Sequence, residues 1–323
     1  MKVAGILAAF PKRSALVVGD ICLDRWCTYD PATTEPSRET GIPRIGVVST
    51  ETTPGAGGTI ANNLAALGIG RVAVLGAVGE DGFGYDLQQA LESRGISTEL
   101  QVRSDELSTF TYTKLLNLTN GVEDQPRVDF INTRPLPEAV ERQILARLRD
   151  VAENFDVIFV SDQAETAQGG AVTPAVRERL AQIASYKLVL ADSRRRLAEF
   201  RNVILKPNVQ EAACASTSLF GCVDYQRFRR HVGAPLLFVT EGPRGVLVVE
   251  DGCDTQVPAR PIEKPVDICG AGDSFATGAG MALAAGGSPL EAARFGNLVA
   301  SVTIMKKGTG TASPVEVLAA AAE

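Results

Sequence analysis

Histidine is almost missing: His231 is the single one among 323 residues. That removes His-cluster metal sites and argues against a histidine general base, so acid–base chemistry falls to carboxylates, lysines or the backbone. His231 itself, just before Gly233 and Pro235, reads as a helix-end residue. No Cys-x-x-Cys pair occurs among Cys22, Cys27, Cys214, Cys222, Cys253 and Cys269. Neither a zinc site nor a disulfide framework is indicated, and the thiols read as those of a reducing, cytoplasmic compartment. A basic surplus is absent too, since 32 Lys and Arg face 38 Asp and Glu, a net charge of −6. A polyanion therefore meets no general attraction, which disfavours nucleic acid as a partner. No apolar run is long enough to span a bilayer, so no membrane segment is expected. The opening MKVAGILAAF reads as a short amphipathic helix, because Pro11-Lys12-Arg13 stands where a leader would need small residues.

What is present is an ordinary globular composition, 45% apolar and 22% charged, on a chain long enough for one large α/β domain with an appendage. Continuous Val/Ile/Leu-rich runs recur at 15–23, 71–78, 157–161, 188–192, 202–206, 236–240 and 245–249. Such runs fit strands buried on both faces of a mostly parallel sheet. Helical patterns lie between them at 58–68, 84–95, 137–154, 174–185, 223–232, 273–286 and 289–306. Ser288-Pro289-Leu290-Glu291 and Ser313-Pro314-Val315-Glu316 carry helix-start signals with capping boxes, and Thr173-Pro174 opens another helix. The alternation predicts a doubly wound α/β fold, its main sheet flanked by helices and its ligands outside the carboxyl ends of the strands. Two stretches break the pattern, about 25–56 and 106–132, with 108–116 and 125–132 reading as a polar hairpin. Both are assigned to a small β lid on residues 1–323 taken as a single domain.

The strongest motif is Asp267-Ile268-Cys269-Gly270-Ala271-Gly272-Asp273, leading straight into a helix. Gly-Ala-Gly lets backbone amides of Gly270, Ala271 and Gly272 converge at a helix N-terminus, where an anion is favoured. Asp273 on that first turn is either a cap or a base. At the end of the first run, Asp20 and Asp24 are sugar-hydroxyl acceptors or loop caps. Pro54-Gly55-Ala56-Gly57-Gly58, followed by Asn62 and Asn63, permits close backbone approach to a ligand. No Gly-x4-Gly-Lys-Ser/Thr occurs, and Gly68-x-Gly70-x-x-Ala73 runs from helix to strand, the reverse of a dinucleotide fingerprint. Asn208 and Glu211 lie three apart at a helix start and either hold water around Mg²⁺ or cap the helix. Thr240-Glu241-Gly242-Pro243-Arg244-Gly245 joins two strands. Asn297 sits in a long apolar helix, and Arg194, Arg195 and Arg196 form a basic run that reads as a solvated face.

In this order the pieces resemble the ribokinase-like (pfkB) family of ATP-dependent sugar kinases, from about Ala15 to Pro314. Within it the chain is most similar to the kinase domain of bifunctional heptose-7-phosphate kinase/adenylyltransferases. That closer likeness rests on Asp24-Arg25-Trp26, 54–58, Arg127-Val128-Asp129-Phe130, Ser161-Asp162 and 307–314. The resemblance implies that Asp273 takes the proton of an acceptor hydroxyl attacking the γ-phosphate, while amides of 270–272 hold developing charge. It implies that Asp20, Asp24, Gly57, Gly58 and Asn62 bind the sugar, and that Thr240, Gly242, Gly245 and Asn297 line the nucleotide site with Asn208 and Glu211 organising Mg²⁺. It also implies a K⁺ site at Asp267 and the Cys269 backbone near residues 306–313, and a homodimer through the lid. Arg127, with Arg25 and Arg195, is a candidate for a phosphate on the sugar. The sequence departs from those relatives at Gln163-Ala164-Glu165, where they tend to have a basic residue. Other acceptors (fructose, ribose, a nucleoside) and a non-catalytic sugar- or nucleotide-binding regulator are the alternatives.

Overall fold

The computed structural model describes residues 3–166 and 168–322. Its principal strands are β1 (Ser14–Gly19), β2 (Ile21–Tyr29), β3 (Val47–Ala56), β4 (Arg71–Leu75), β5 (Thr111–Asn117), β6 (Val128–Phe130), β7 (Val157–Asp162), β8 (Leu188–Ser193), β9 (Ile204–Leu205), β10 (Leu237–Thr240), β11 (Val246–Glu250) and β12 (Cys253–Val257). The helices are α1 (Val3–Ala9), α2 (Gly57–Ala66), α3 (Gly82–Glu92), α4 (Glu138–Val151), α5 (Pro174–Ile183), α6 (Val209–Phe220), α7 (Tyr225–Val232), α8 (Ala271–Ala284), α9 (Pro289–Thr303) and α10 (Pro314–Ala322).

The main sheet runs β12-β11-β10-β9-β8-β7-β1-β4. It is parallel from β10 to β4 and antiparallel only at β11 and β12. Neighbouring residues of one strand serve opposite cores: Ala15, Val17, Val157 and Phe159 pack toward α2, α8 and α9. Leu16, Val18, Ile158 and Val160 pack toward α4, α5 and α7. With helices on both faces, every residue of such a strand must be apolar, which is why those runs do not alternate.

The predicted run 15–23 is two strands, not one. Gly19 takes φ 126, and a Cβ there would lie 2.2 Å from the Ser161 carbonyl oxygen, so the chain turns out of the main sheet at the one residue type that fits. The Asp20 N–H still donates to Ser161 O at 2.8 Å, but β2 continues into a second sheet, β6-β5-β2-β3. The run 71–78 splits likewise at Gly76, after which Ala77–Gly79 pairs with Val102–Ser104. The predicted hairpin is present as β5 and β6, antiparallel with Val128 opposite Thr113. In the lid stretch 25–56, the long strands β2 and β3 flank a short pairing of Glu35–Pro36 with Pro43–Arg44. Helices α6 and α10 follow start signals at Asn208 and Ser313 that the helical patterns had not extended. Helix α1 buries Ile6, Leu7 and the following Phe10, and His231 ends α7 with its ring edge-on to Phe220. Among the described residues no helix is long and apolar enough to cross a membrane.

Candidate active site

The carboxyl ends of the main-sheet strands face the lid across a cavity of about 160 Å³. Its lining includes Asp24 and Trp26 from β2, Ala56 and Thr59 at the β3–α2 turn, and Tyr112 and Lys114 from β5. Arg127, Gln163, Glu165 and Arg194 add to it, and Cys269, Gly270, Asp273 and Thr309 close the opposite wall. Sites for drug-sized ligands run roughly 300–1,000 Å³. This one is smaller.

Asp273 stands in the first turn of α8. Gly270 caps that helix at φ 76, a left-handed turn that aims the first amides outward. First-turn amides have no acceptor inside their helix, so those of Gly272 and Asp273 are available to an anion. The Ala271 N–H, expected in the cradle, instead donates back to Ile268 O at 3.2 Å. Among the described residues no hydrogen bond holds the Asp273 carboxylate. Burial and the nearby Asp192 push its pKa up to about 7 against the pull of Lys206 and Arg194. A carboxylate poised there can both hold and release a proton near neutrality.

Asp20 and Asp24, paired in the sequence reading, part company. Asp20 is buried, and its carboxylate accepts N–H bonds from Gln163 (2.8 Å), Ala164 (2.9 Å) and Ala171 (2.7 Å). It ties β1 to the 163–171 loop and lies outside the lining of the main cavity. Desolvation and Asp162 raise its pKa to about 6 despite those amides. Asp24 does line the cavity, with no hydrogen-bond partner among the described residues. Desolvation raises it to about 6 against Lys114 and Arg127. A Cβ on Gly55 would meet Asp24 Oδ1 at 2.3 Å, so the glycine leaves that carboxylate room. Ala56 beside it adopts φ 51, ψ −119, a strained conformation of the kind that collects at ligand sites.

Gly57, Gly58 and Asn62 are buried in α2 and do not line the cavity. The two glycines pack instead: a Cβ would meet Ile21 Cδ1 at 2.7 Å from Gly57 and Pro54 Cβ at 2.6 Å from Gly58. Thr59, three residues before Asn62, takes the place facing the cavity and Gly270. Lys114 and Tyr112 are not among the expected site residues, Gln163 enters only as a departure from the relatives, and Thr309 only within the 306–313 stretch.

Three cations converge on the cavity. Lys114 Nζ lies 4.7 Å from the Trp26 ring centroid. Arg127 donates twice to Asp129 Oδ2, at 3.0 and 2.6 Å, and stacks 5.1 Å from Tyr112. Arg194 donates from Nε to Gln163 Oε1 at 2.6 Å and from Nη1 to Glu165 Oε1 at 2.9 Å. The basic run is thus no uniform solvated face. Arg194 reaches the cavity, Arg196 is paired with the buried Asp162, and Arg195 is exposed and outside the lining. Arg25 stacks on Phe83 instead.

The remaining candidates lie beyond the cavity, along the strand ends. Asn208 and Glu211 form a reciprocal capping box: Asn208 Oδ1 accepts the Glu211 N–H at 2.9 Å, and Glu211 Oε2 accepts the Asn208 N–H at 2.8 Å. Burial and Asp192 raise the Glu211 pKa. Thr240 donates its N–H to Pro207 O at 2.9 Å, which brings it beside Asn208. Past the Gly242–Arg244 turn, a Cβ on Gly245 would meet Val257 O at 2.2 Å, and Asn297 Nδ2 donates to Val257 O and Pro258 O, both at 3.2 Å. Gly245 and Asn297 therefore meet at the same stretch.

Asp267 joins two loops, accepting N–H bonds from Cys269 at 2.9 Å and Gly308 at 3.1 Å. Gly308 rests on the lid, where its Cβ would lie 3.5 Å from Trp26 Cζ2. Thr309 Oγ1 is buried without a partner, and no cluster of three or more His, Cys, Asp and Glu occurs among the described residues.

Comparison with known proteins extends this geometry. The pfkB family of carbohydrate kinases matches residues 13–316. The chain is 31% identical over 319 residues to the bifunctional protein HldE of Trichlorobacter lovleyi, covering 94% of this chain and 62% of that protein. It is 28% identical over 320 residues to the HldE of Shewanella piezotolerans, covering 97% and 64%. The chain thus spans less than two thirds of these relatives' length. In fold it is similar to ribokinase from Thermotoga maritima, with TM-score 0.71 and 21% identity over 96% of this chain and 100% of that one. Phosphofructokinase-2 from Escherichia coli in complex with potassium matches with TM-score 0.71 and 20% identity over 96% and 98%.

Proposed function

The chain belongs to the pfkB family of carbohydrate kinases, and from that premise we propose that it moves the γ-phosphate of ATP to a hydroxyl of a sugar phosphate resembling heptose 7-phosphate. The carrying observation is one cavity that joins the unpartnered carboxylates of Asp273 and Asp24 to the cations of Lys114, Arg127 and Arg194. Asp24 and Thr59 would orient the acceptor's hydroxyls, and the cations would hold its own phosphate, for which guanidinium and ammonium groups are suited. Asp273 would take the hydroxyl proton as the oxygen attacks in line, with the freed first-turn amides of α8 facing the charge on the transferring group.

The triphosphate would lie outside the cavity along Asn208, Thr240, Gly242, Gly245 and Asn297. The oxygens of Asn208 and the half-buried Glu211 are the hard donors that Mg²⁺ prefers through water, and the metal would neutralise phosphate charge. For K⁺, the loop 306–313, the Cys269 backbone and the orphaned Thr309 hydroxyl supply oxygens near Asp267, and phosphofructokinase-2 has been seen with potassium. Residues 1–323 would act as one kinase unit. Exposed Val47, Val48, Val128 and Phe130 on the lid would be covered in a homodimer.

A neutral acceptor is the second reading. Each of the three cations that a phosphate would need already has a carboxylate beside it: Arg194 has Glu165 at 2.9 Å, Arg127 has Asp129 at 2.6 Å and Lys114 has Glu123 at 3.7 Å. Coupled ADP release, screened across neutral sugars and sugar 1-, 6- and 7-phosphates with Mg²⁺ and with or without K⁺, separates the two. Turnover confined to neutral hexoses would refute the sugar-phosphate acceptor.

A further inference from the structure

Lys206 follows β9 directly and is 3% exposed. Its Nζ pairs with Asp192 Oδ2 at 2.9 Å, and Asp192, at the end of β8, is itself buried. An ammonium carries three donors. Asp192 takes one, and no other hydrogen bond or ion pair of Lys206 Nζ occurs among the described residues. A Cβ built on Gly272 would lie 3.2 Å from Lys206 Nζ, which places the ammonium against the turn that carries Asp273. Burial alone would push this ammonium's pKa down, but Asp192, Asp273 and Glu211 carry it up overall, so it stays charged.

For stability the arrangement is a poor one. A helix N-terminus is the positive end of its dipole and disfavours a cation, and a buried ion pair seldom repays its desolvation. Two idle donors beside outward-facing amides make sense once an anion comes between them. We propose that Lys206 is a further catalytic residue, whose ammonium contacts the phosphoryl group in transfer, and that Asp192 is the positioning residue that aims it. This rests on the phosphoryl-transfer reading above. The acceptor oxygen–phosphorus bond forms as the phosphorus–oxygen bond to ADP breaks, and the hydroxyl proton goes to Asp273. Lys206 stays protonated throughout and contributes charge only.

The test compares wild type with Lys206→Met, Lys206→Arg and Asp192→Asn by coupled ADP release. Calorimetric Kd values for Mg-ADP and for the Mg²⁺ complex of the β,γ-imido ATP analogue are measured alongside. Lys206→Met should lower kcat by roughly 10²–10³-fold, as loss of one preorganised charge-stabilising donor does. It should also erase the analogue's advantage over ADP while ADP affinity stays within about threefold of wild type. Lys206→Arg should keep the analogue's advantage. Asp192→Asn should lower kcat roughly tenfold with little change in KM, the split expected when an aimed group loosens. Removing one partner of a buried pair leaves the other uncompensated, so the same measurements are made on the Lys206→Met/Asp192→Asn double variant, which buries no charge there. A preserved kcat, a preserved analogue preference, or equal loss of ADP and analogue in Lys206→Met and in the double variant overturns the proposal. If wild type releases no ADP with any acceptor, the phosphoryl-transfer reading falls, while the two Kd values still judge Lys206.

Discussion

The main sheet and the lid sheet meet at Asp20 and are built on opposite terms. Strands β1, β7, β8 and β9 are covered on both faces, and the groups at their ends are held by close partners: Asp20 by three amides, Asp162 by Arg196 and Ser193, Lys206 by Asp192. Strands β3 and β6 leave Val48 at 55% and Val128 at 47% exposure, and the lid's cations lean on aromatic faces and on partly exposed carboxylates. A buried wall thus stands opposite a more exposed one. On the proposed reading, the buried side would set the chemistry and the more exposed side would set what is admitted.

The largest expected effect tests the buried side. Asp273→Asn should lower kcat by roughly 10²–10⁴-fold, the usual worth of a positioned general base, with acceptor KM little moved. If KM alone rises, the division fails. On the other wall, Lys114→Met with Arg127→Met should raise KM for a sugar phosphate roughly 10–100-fold, the worth of one or two charged hydrogen bonds, and leave kcat within about threefold. Equal loss on neutral sugars would mean that the lid does not select. Glu165→Gln frees Arg194 and should favour sugar phosphates over neutral sugars by about threefold, as expected for an exposed pair.

Acidity sharpens the comparison further. With its pKa near 7, Asp273 should give kcat/KM an acid limb that falls about tenfold per pH unit below 7 and is missing in Asp273→Asn. Its folded-state pKa lies above the unfolded value, so between pH 4 and 7 the native state holds a proton that the unfolded state has lost. Stability from this group therefore falls as pH rises through that window. The Tm of Asp273→Asn, compared with wild type, should gain at least about 2 °C between pH 5 and pH 8. The smallest effect is at the seam. Ala56→Gly relieves a positive φ and should stabilise the protein by about 1 kcal/mol after its own entropic cost. A loss of stability would mean that the turn is unstrained.

The same contrast explains what could be read from the residues. Strands buried on both faces announce themselves as unbroken apolar runs, and the anion cradle announces itself through Gly270-Ala271-Gly272. A polar, largely exposed strand such as β3 carries no such signal. The step at Asp20 was hidden because Ile21, Cys22 and Leu23 continue the apolar run after the chain has changed sheets. Asn62 drew attention as an amide near a glycine pair, but helical phase turns Thr59 to the cavity instead. Lys206 and Asp192 were discoverable: each stands at the carboxyl end of a predicted parallel strand, where ligands collect in such sheets. Lys114 was not, since its meaning depends on a lid register that only pairing reveals.

Trp26 is the molecule's only indole, and it stands between Lys114 and Gly308. Its fluorescence therefore reports a single place, the contact of lid strand β2 with the loop that Asp267 anchors. A sugar that draws Lys114 off the ring and a salt or nucleotide that shifts Gly308 would each alter that emission without any attached dye. Mixed rapidly one at a time, they would reveal by their time courses which wall moves first.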